Sequence, residues 1–298
     1  MSTSNHITVT KDLKLDFSRL PVSKLTGKPV IHFAHANGMP SRVYQPIFDV
    51  LEHHFTVEYI PILGFDKDSK PTYPIDNHWK SLTQQVIDSV SAISKKHKVP
   101  VIGLGHSLGA LCTLQALYKK PKLFLQVVLM DPPLIYGRDN LLWHLAKIFL
   151  PKQRDKLSPA GISSRRRDIW DSREQARDLL QPKRFFQKFD PRTFDGYIQH
   201  GMRDLPDGRV TLTIPKEAEV AVFRTNPSWY WLKPNRPPNK PATLLIGDDS
   251  QFYQRGFPSK VRKRLSIPFK LHPGGHMFPL EYPDSVAQLI MVTIMEQS

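Results

Sequence analysis

The 298 residues suffice for one large α/β domain with a sizeable insertion, and 40% hydrophobic against 23% charged residues is the balance of a globular protein in water. A net charge of +15 attracts anionic surfaces in general, but no zinc-finger or RNP-like pattern accompanies it, so a nucleic-acid module is not indicated. The longest apolar run, Leu141 to Leu150, contains His144 and Lys147 and is too short to span a bilayer, while a single cysteine, Cys112, excludes an internal disulfide.

Residues 6–20 alternate (Ile7, Val9, Leu13, Leu15, Phe17) and predict a short antiparallel opening to a sheet. Pro29 to Ala34 is a buried-type strand that runs into His35-Ala36-Asn37-Gly38-Met39-Pro40. A helix follows from Ser41 to His53, with Tyr44, Ile47, Phe48 and Leu51 at helical spacing. Phe55 to Ile60 is a strand, and Asn77 to Lys98 a long helix with Trp79, Leu82, Val86, Val90 and Ile93 on one face. The apolar run Val99 to Leu104 then leads into Gly105-His106-Ser107-Leu108-Gly109 and a helix from Leu108 to Tyr118.

Leu125 to Met130 is the next strand, ending in Asp131-Pro132-Pro133. This strand–helix rhythm predicts a mostly parallel, doubly wound sheet, with ligands beyond the carboxyl ends of its strands. The rhythm stops near residue 134 and resumes at Ala242 to Ile246. The interval reads as helices with proline-rich joints, so residues 134–241 are expected to form a helical cap on a core made of 1–133 and 242–298. Its large apolar groups include Trp143, Phe149, Trp170, Phe185, Phe186, Phe194, Trp229 and Trp231; some should roof a pocket. Ile267 to Leu271 and the helix Pro283 to Met295 close the chain.

A serine held between a strand and a helix by flanking glycines is the pattern of a nucleophile elbow, which makes Ser107 the candidate nucleophile. A serine hydroxyl needs a base, and the base needs an orienting acid. His276, on the glycine-rich loop after the last strand, is the candidate base; His272 closes that strand and reads as a packed residue. The acid is open between Asp131, at the end of the strand after the elbow helix, and Asp248 or Asp249, after the strand that follows the interval. The position where such an acid commonly stands, three residues beyond Gly247, is Ser250. The backbone amides of Leu108 and of Asn37 (or Ala36) are the candidate oxyanion donors. No His-Glu-x-x-His or Cys/His set exists, and Pro273-Gly274-Gly275 breaks the His272/His276 spacing, so no metal site is expected.

Together the His35-Ala36-Asn37-Gly38-Met39-Pro40 loop, the Gly105–Gly109 elbow, the inserted interval and Gly275-His276-Met277-Phe278-Pro279 resemble the α/β-hydrolase fold superfamily. The first loop and the segment Arg166-Arg167 to Glu174 further resemble a lipase/esterase-like subgroup that includes peroxisomal lipase-like and fungal toxin-biosynthesis hydrolases. The resemblance implies a cofactor-free hydrolase, and the subgroup's habit of ending the strand after the elbow in an acidic residue and proline favours Asp131.

The function expected is hydrolysis of a small apolar ester through a Ser-His-Asp acyl-enzyme. C–C bond hydrolysis, perhydrolysis or ligand binding without turnover are the alternatives on this fold. The lone cysteine and the absence of a basic, then apolar, start at Met1 to His6 point to a cytoplasmic setting without a secretory leader. The basic clusters Lys152–Arg154, Arg165–Arg167, Lys183-Arg184 and Lys260–Arg264 read as solvated surface with weak attraction to anionic surfaces.

Overall fold

The computed structural model describes residues 16–66, 70–150, 155–156, 158–228 and 236–297. The strands among them are β1 (Val30–Ala34), β2 (Thr56–Tyr59), β3 (Val101–His106), β4 (Phe124–Met130), β5 (Ile169–Trp170), β6 (Met202–Asp204), β7 (Val210–Leu212), β8 (Ala242–Gly247) and β9 (Phe269–His272). Six of them form one sheet in the order β2-β1-β3-β4-β8-β9, every neighbouring pair parallel. Parallel strands covered on both faces need apolar residues at successive positions rather than alternate ones. The central strands β1, β3 and β8 are accordingly buried at every residue.

Helices cover both faces. Helix α1 (Gln45–Leu51) and the closing helix Pro283–Glu296 pack on one side with Phe33, Ile102 and Val128. Helices α2 (Lys80–His97) and α3 (Leu108–Lys119) pack on the other with Val101, Val127 and Leu244. The chain leaves β1 for the outer edge at β2 and then returns to the far side of β1 at β3. The connections after β1 and β3 therefore diverge to opposite faces and leave a crevice at their carboxyl ends, the switch point where open α/β sheets hold ligands.

The helix expected from Ser41 begins as a 3-10 turn, Ser41–Tyr44, because Pro46 cannot donate into an α-turn. Helix α2 is preceded by a kinked turn at Asn77–Trp79, where His78 and Trp79 take positive φ. Helix Phe257–Leu265 was not anticipated. Its basic sequence hides a short stripe, Phe257, Val261 and Leu265, that buries against the sheet. The opening strand expected over 6–20 lies mostly outside the described residues, and residues 16–20 carry no strand.

Between β4 and β8 the chain is not wholly helical. It contains helix α4 (Arg138–Phe149) and helices Arg173–Leu180, Pro191–His200 and Lys216–Arg224, together with a small antiparallel sheet, β5-β7-β6. Strands of two and three residues carry too little pattern to be read from sequence. Cys112 is buried in α3, and burial pushes its thiol up to about 12, so it packs as a small apolar group. No helix among the described residues is long and apolar enough to cross a membrane.

Candidate active site

Strand β3 runs buried to His106 and turns at Ser107, whose φ of 51° and ψ of −113° lie in a region an L-residue adopts only under constraint. The constraint is local and double. Ser107 N–H donates to Met130 O at 2.9 Å, and Gly109 N–H donates to His35 O at 3.0 Å, pinning the turn to β4 and to the end of β1. A Cβ at Gly109 would lie 2.1 Å from the Ala34 carbonyl oxygen, so only glycine lets α3 start this close to β1.

The structure brings Ser107, His276 and Asp131 into one hydrogen-bonded chain. His276 Nε2 lies 2.9 Å from Ser107 Oγ, and His276 Nδ1 lies 2.6 Å from Asp131 Oδ2. An ionised carboxylate only accepts, so Nδ1 carries the imidazole proton and Nε2 is left to accept from the serine hydroxyl. Asp131 is fully buried at the end of β4, at a φ of 40°, with its N–H bonded to Leu245 O at 2.8 Å.

Ser250 donates its hydroxyl to the same Oδ2 at 2.6 Å and accepts from Phe252 N–H at 3.2 Å. The residue that stands where an acid was sought thus supports the acid across the sheet. Asp131 Oδ1 has no hydrogen-bond partner among the described residues. Asp248 and Asp249 are engaged elsewhere. Asp248 Oδ1 accepts from Gly274 N–H at 3.0 Å, shaping the loop that carries His276, and Asp249 Oδ1 accepts from Gln254 at 3.1 Å. His272 donates to Pro273 O and pairs with Ser285, as a packed residue does.

Leu108 heads α3, where first-turn amides lack an intrahelical acceptor, and lines the cavity beside Ser107. Of the two amides proposed opposite it, that of Ala36 donates to Tyr44 Oη at 3.3 Å, which leaves Asn37 as the better-placed donor. The Asn37 side chain is held in turn, donating to Glu219 O at 3.0 Å.

One residue of this region was missed by sequence reasoning. His106, buried beside the elbow, accepts from Tyr44 Oη at 2.7 Å and donates through Nε2 to the His276 carbonyl at 2.9 Å. A carbonyl can only accept, which fixes the tautomer. Ala36, Tyr44, His106 and His276 therefore form a relay that ties the loop after β1 to the loop after β9. The only signal in the sequence was a polar residue closing a fully apolar strand.

Burial holds His106 well below the usual imidazole range and brings His32 and His35 down to about 4. In the unfolded chain all three protonate near 6.5. Below that pH the unfolded state binds protons that the folded state refuses, so stability falls as pH drops from about 6.5 toward 4. The slope approaches roughly 1.4 kcal/mol per pH unit for each histidine. Urea midpoints at pH 7.5 and 5.0 check this; an unchanged midpoint would contradict three buried neutral imidazoles.

The chain of three opens into a cavity of about 1220 Å³. Ser107, Leu108 and His276 lie at its floor, and Trp143, Trp170, Phe185 and Phe186 from the β4–β8 interval line it above. Phe194 packs in the core instead, Phe149 is 70% exposed, and Trp229 and Trp231 lie outside the described residues. Glu219 is buried at the cavity wall, where it accepts from Ser163 Oγ at 2.7 Å and pairs with Arg166. The described residues contain no group of His, Cys, Asp or Glu able to hold a metal ion.

Residues 33–289 match the model of the alpha/beta hydrolase family. Over 183 residues the chain is 26% identical to a type I acyl-CoA thioesterase of Penicillium brevicompactum, a match covering 58% of this chain and 39% of that protein. The chain thus spans about two fifths of the length of the curated relatives it matches. Among solved structures it superposes on a peroxisomal alpha-beta-hydrolase of Saccharomyces cerevisiae with a TM-score of 0.69 at 16% identity, covering 90% of this chain and 77% of that one. It superposes on E-2-(acetamidomethylene)succinate hydrolase with a TM-score of 0.68 at 18% identity, covering 90% and 91%.

Proposed function

The chain belongs to the alpha/beta hydrolase family, and we propose that within it this enzyme hydrolyses esters or thioesters of apolar carboxylic acids through an acyl-enzyme on Ser107. The observation that carries this reading is the unbroken line Ser107 Oγ, His276, Asp131, with spacings of 2.9 and 2.6 Å, at the floor of an apolar cavity. The 26% identity to acyl-CoA thioesterases supports the thioester arm.

In this mechanism Ser107 Oγ attacks the carbonyl carbon while His276 Nε2 takes the hydroxyl proton. Asp131 stabilises the resulting imidazolium through Nδ1–H and holds the ring in its tautomer. The tetrahedral oxyanion sits between the amides of Leu108 and Asn37, donors fixed before the reaction begins. Collapse breaks the bond to the leaving oxygen or sulfur, which takes the proton back from Nε2. Water then enters on the same side, His276 removes its proton, and the free acid leaves with Ser107 restored. The His276 side chain is 28% exposed, enough for that water to reach it. No bound cofactor is called for.

Residues 134–241 act in this reading as a cap, with the acyl chain lying beneath Trp143, Trp170 and Phe186. A buried methylene contributes about 0.8 kcal/mol. Across p-nitrophenyl acetate to laurate, and a matching series of thioesters, kcat/KM is therefore expected to rise about fourfold per methylene until the cavity fills. Absence of turnover on both series, with no covalent labelling by a fluorophosphonate, would overturn the reading.

A further inference from the structure

Basic residues that lie far apart in the sequence meet around the opening of this one cavity. Lys156, Arg165, Arg166, Arg167, Lys183 and Arg255 all line it, against a single carboxylate among the described residues, Glu219. Two of the six have structural duties. Arg166 is paired with Glu219, and Arg167 is tied to the Ile169 carbonyl and to Gln175. Lys156, Arg165, Lys183 and Arg255 are exposed, and among the described residues none of their side chains makes an ion pair.

Uncompensated cations gathered on one rim repel one another and gain nothing for the fold. Above low-dielectric walls they focus a positive potential onto the opening. The lysine and arginine cluster Lys260–Arg264, by contrast, lies outside the lining on helix Phe257–Leu265, so convergence on the rim is not simply a property of every basic stretch. The apolar side chains Ile162 (73% exposed) and Phe185 (48% exposed) stand among the rim cations. Such a rim matches a molecule that is apolar at one end and multiply anionic at the other.

We propose that the rim formed by Lys156, Arg165, Lys183 and Arg255 binds phosphate on the leaving-group side of the substrate, so that the enzyme acts on phosphate-bearing acyl esters or thioesters. This rests on the hydrolase reading above, which places the reacting carbonyl at Ser107 and the leaving group toward the opening. Phosphate suits the site better than a carboxylate. It carries up to two charges and three acceptor oxygens, which arginine forks and lysine ammonium groups can share. The phosphate can belong to a soluble carrier or to a lipid headgroup.

The test compares matched pairs that differ in phosphate alone in the region of the rim. Octanoyl-4′-phosphopantetheine is set against octanoyl-pantetheine for the soluble source, and 1-octanoylglycerol 3-phosphate against 1-octanoylglycerol for the lipid source. In one pair or the other, wild type is expected to favour the phosphorylated member by at least about tenfold in kcat/KM at low salt, with the preference shrinking at high salt. The preferred pair names the source. The triple variant Arg165→Gln/Lys183→Gln/Arg255→Gln should lose most of that preference. Equal kcat/KM within both pairs in wild type, or a preference the triple variant keeps, overturns the proposal.

Binding separates this from the chemistry. The thioether S-octyl-4′-phosphopantetheine, which cannot be cleaved, should bind the wild-type protein at least about tenfold more tightly than S-octylpantetheine at low salt. Charge-dependent binding without turnover of any pair would sustain the rim and sink the hydrolase. Turnover with no dependence on phosphate would do the reverse.

Discussion

Replacing Ser107 by alanine is expected to lower kcat/KM on the best ester or thioester by about 10⁴-fold or more and to abolish labelling by a fluorophosphonate. Without Oγ no acyl-enzyme can form, and the amides of Leu108 and Asn37 are left to polarise a carbonyl that only water can attack. The fold should not notice. Ser107 is pinned through its backbone, N–H to Met130 O, and among the described residues its hydroxyl is bonded to His276 alone. Melting temperatures within a few degrees of wild type would therefore accompany the lost activity, and steady-state kinetics on purified protein suffice to read it. A variant retaining a tenth of wild-type turnover would remove Ser107 from the mechanism.

The second large effect is expected at Asp131. Asparagine in its place can turn its carbonyl oxygen or its amide toward His276 Nδ1, but it carries no charge to stabilise an imidazolium. Where the amide faces the ring, it also reverses the tautomer. A loss of about 10⁴-fold in kcat follows if the residue orients the base as proposed. Asp248→Asn should cost far less, because that carboxylate serves the Gly274 amide.

Ser250 makes a sharper version of the experiment. Its Oγ reaches to 2.6 Å from the oxygen that His276 uses, and it also caps the turn Gln251–Gln254 by accepting from Phe252. Aspartate is as good an N-cap as serine. Asp131→Asn/Ser250→Asp therefore delivers a carboxylate to nearly the same point from the neighbouring strand, and should recover at least about tenfold of the lost kcat. Wild-type kcat in Asp131→Asn, or a large loss in Asp248→Asn instead, would reassign the acid.

The strands were legible because doubly covered parallel strands have no polar face. Val30–Ala34 and Ala242–Gly247 stand out as apolar runs whatever the rest of the chain does. The elbow was legible because steric contact demands its glycines at fixed spacing around the serine, Gly105 against the first turn of α3 and Gly109 against the end of β1. The failures share another cause. Helix Phe257–Leu265 docks through three large side chains, Phe257, Val261 and Leu265, too few to register against four basic ones. The choice between Asp131 and Asp248 depends on which strand end lies nearer a loop 145 residues downstream of the first, and spacing along the chain carries no such distance. The parts played by His106 and Ser250 were invisible for the same reason. Their partners Tyr44 and Asp131 are 62 and 119 residues away.

Helix Lys216–Arg224 joins the wall of the cavity to the loop after β1. Its Glu219 carbonyl holds the Asn37 side chain, and its Glu219 carboxylate lies where a Cβ on Gly38 (φ 76°) would stand only 2.7 Å away. The wall is therefore also a strut. Displacing this helix would break the bond from the Asn37 side chain to the Glu219 carbonyl and loosen the residue whose amide is proposed to receive the oxyanion. A substitution in this helix, remote in sequence from Ser107 and His276, can therefore be read out in turnover through the set of the loop after β1.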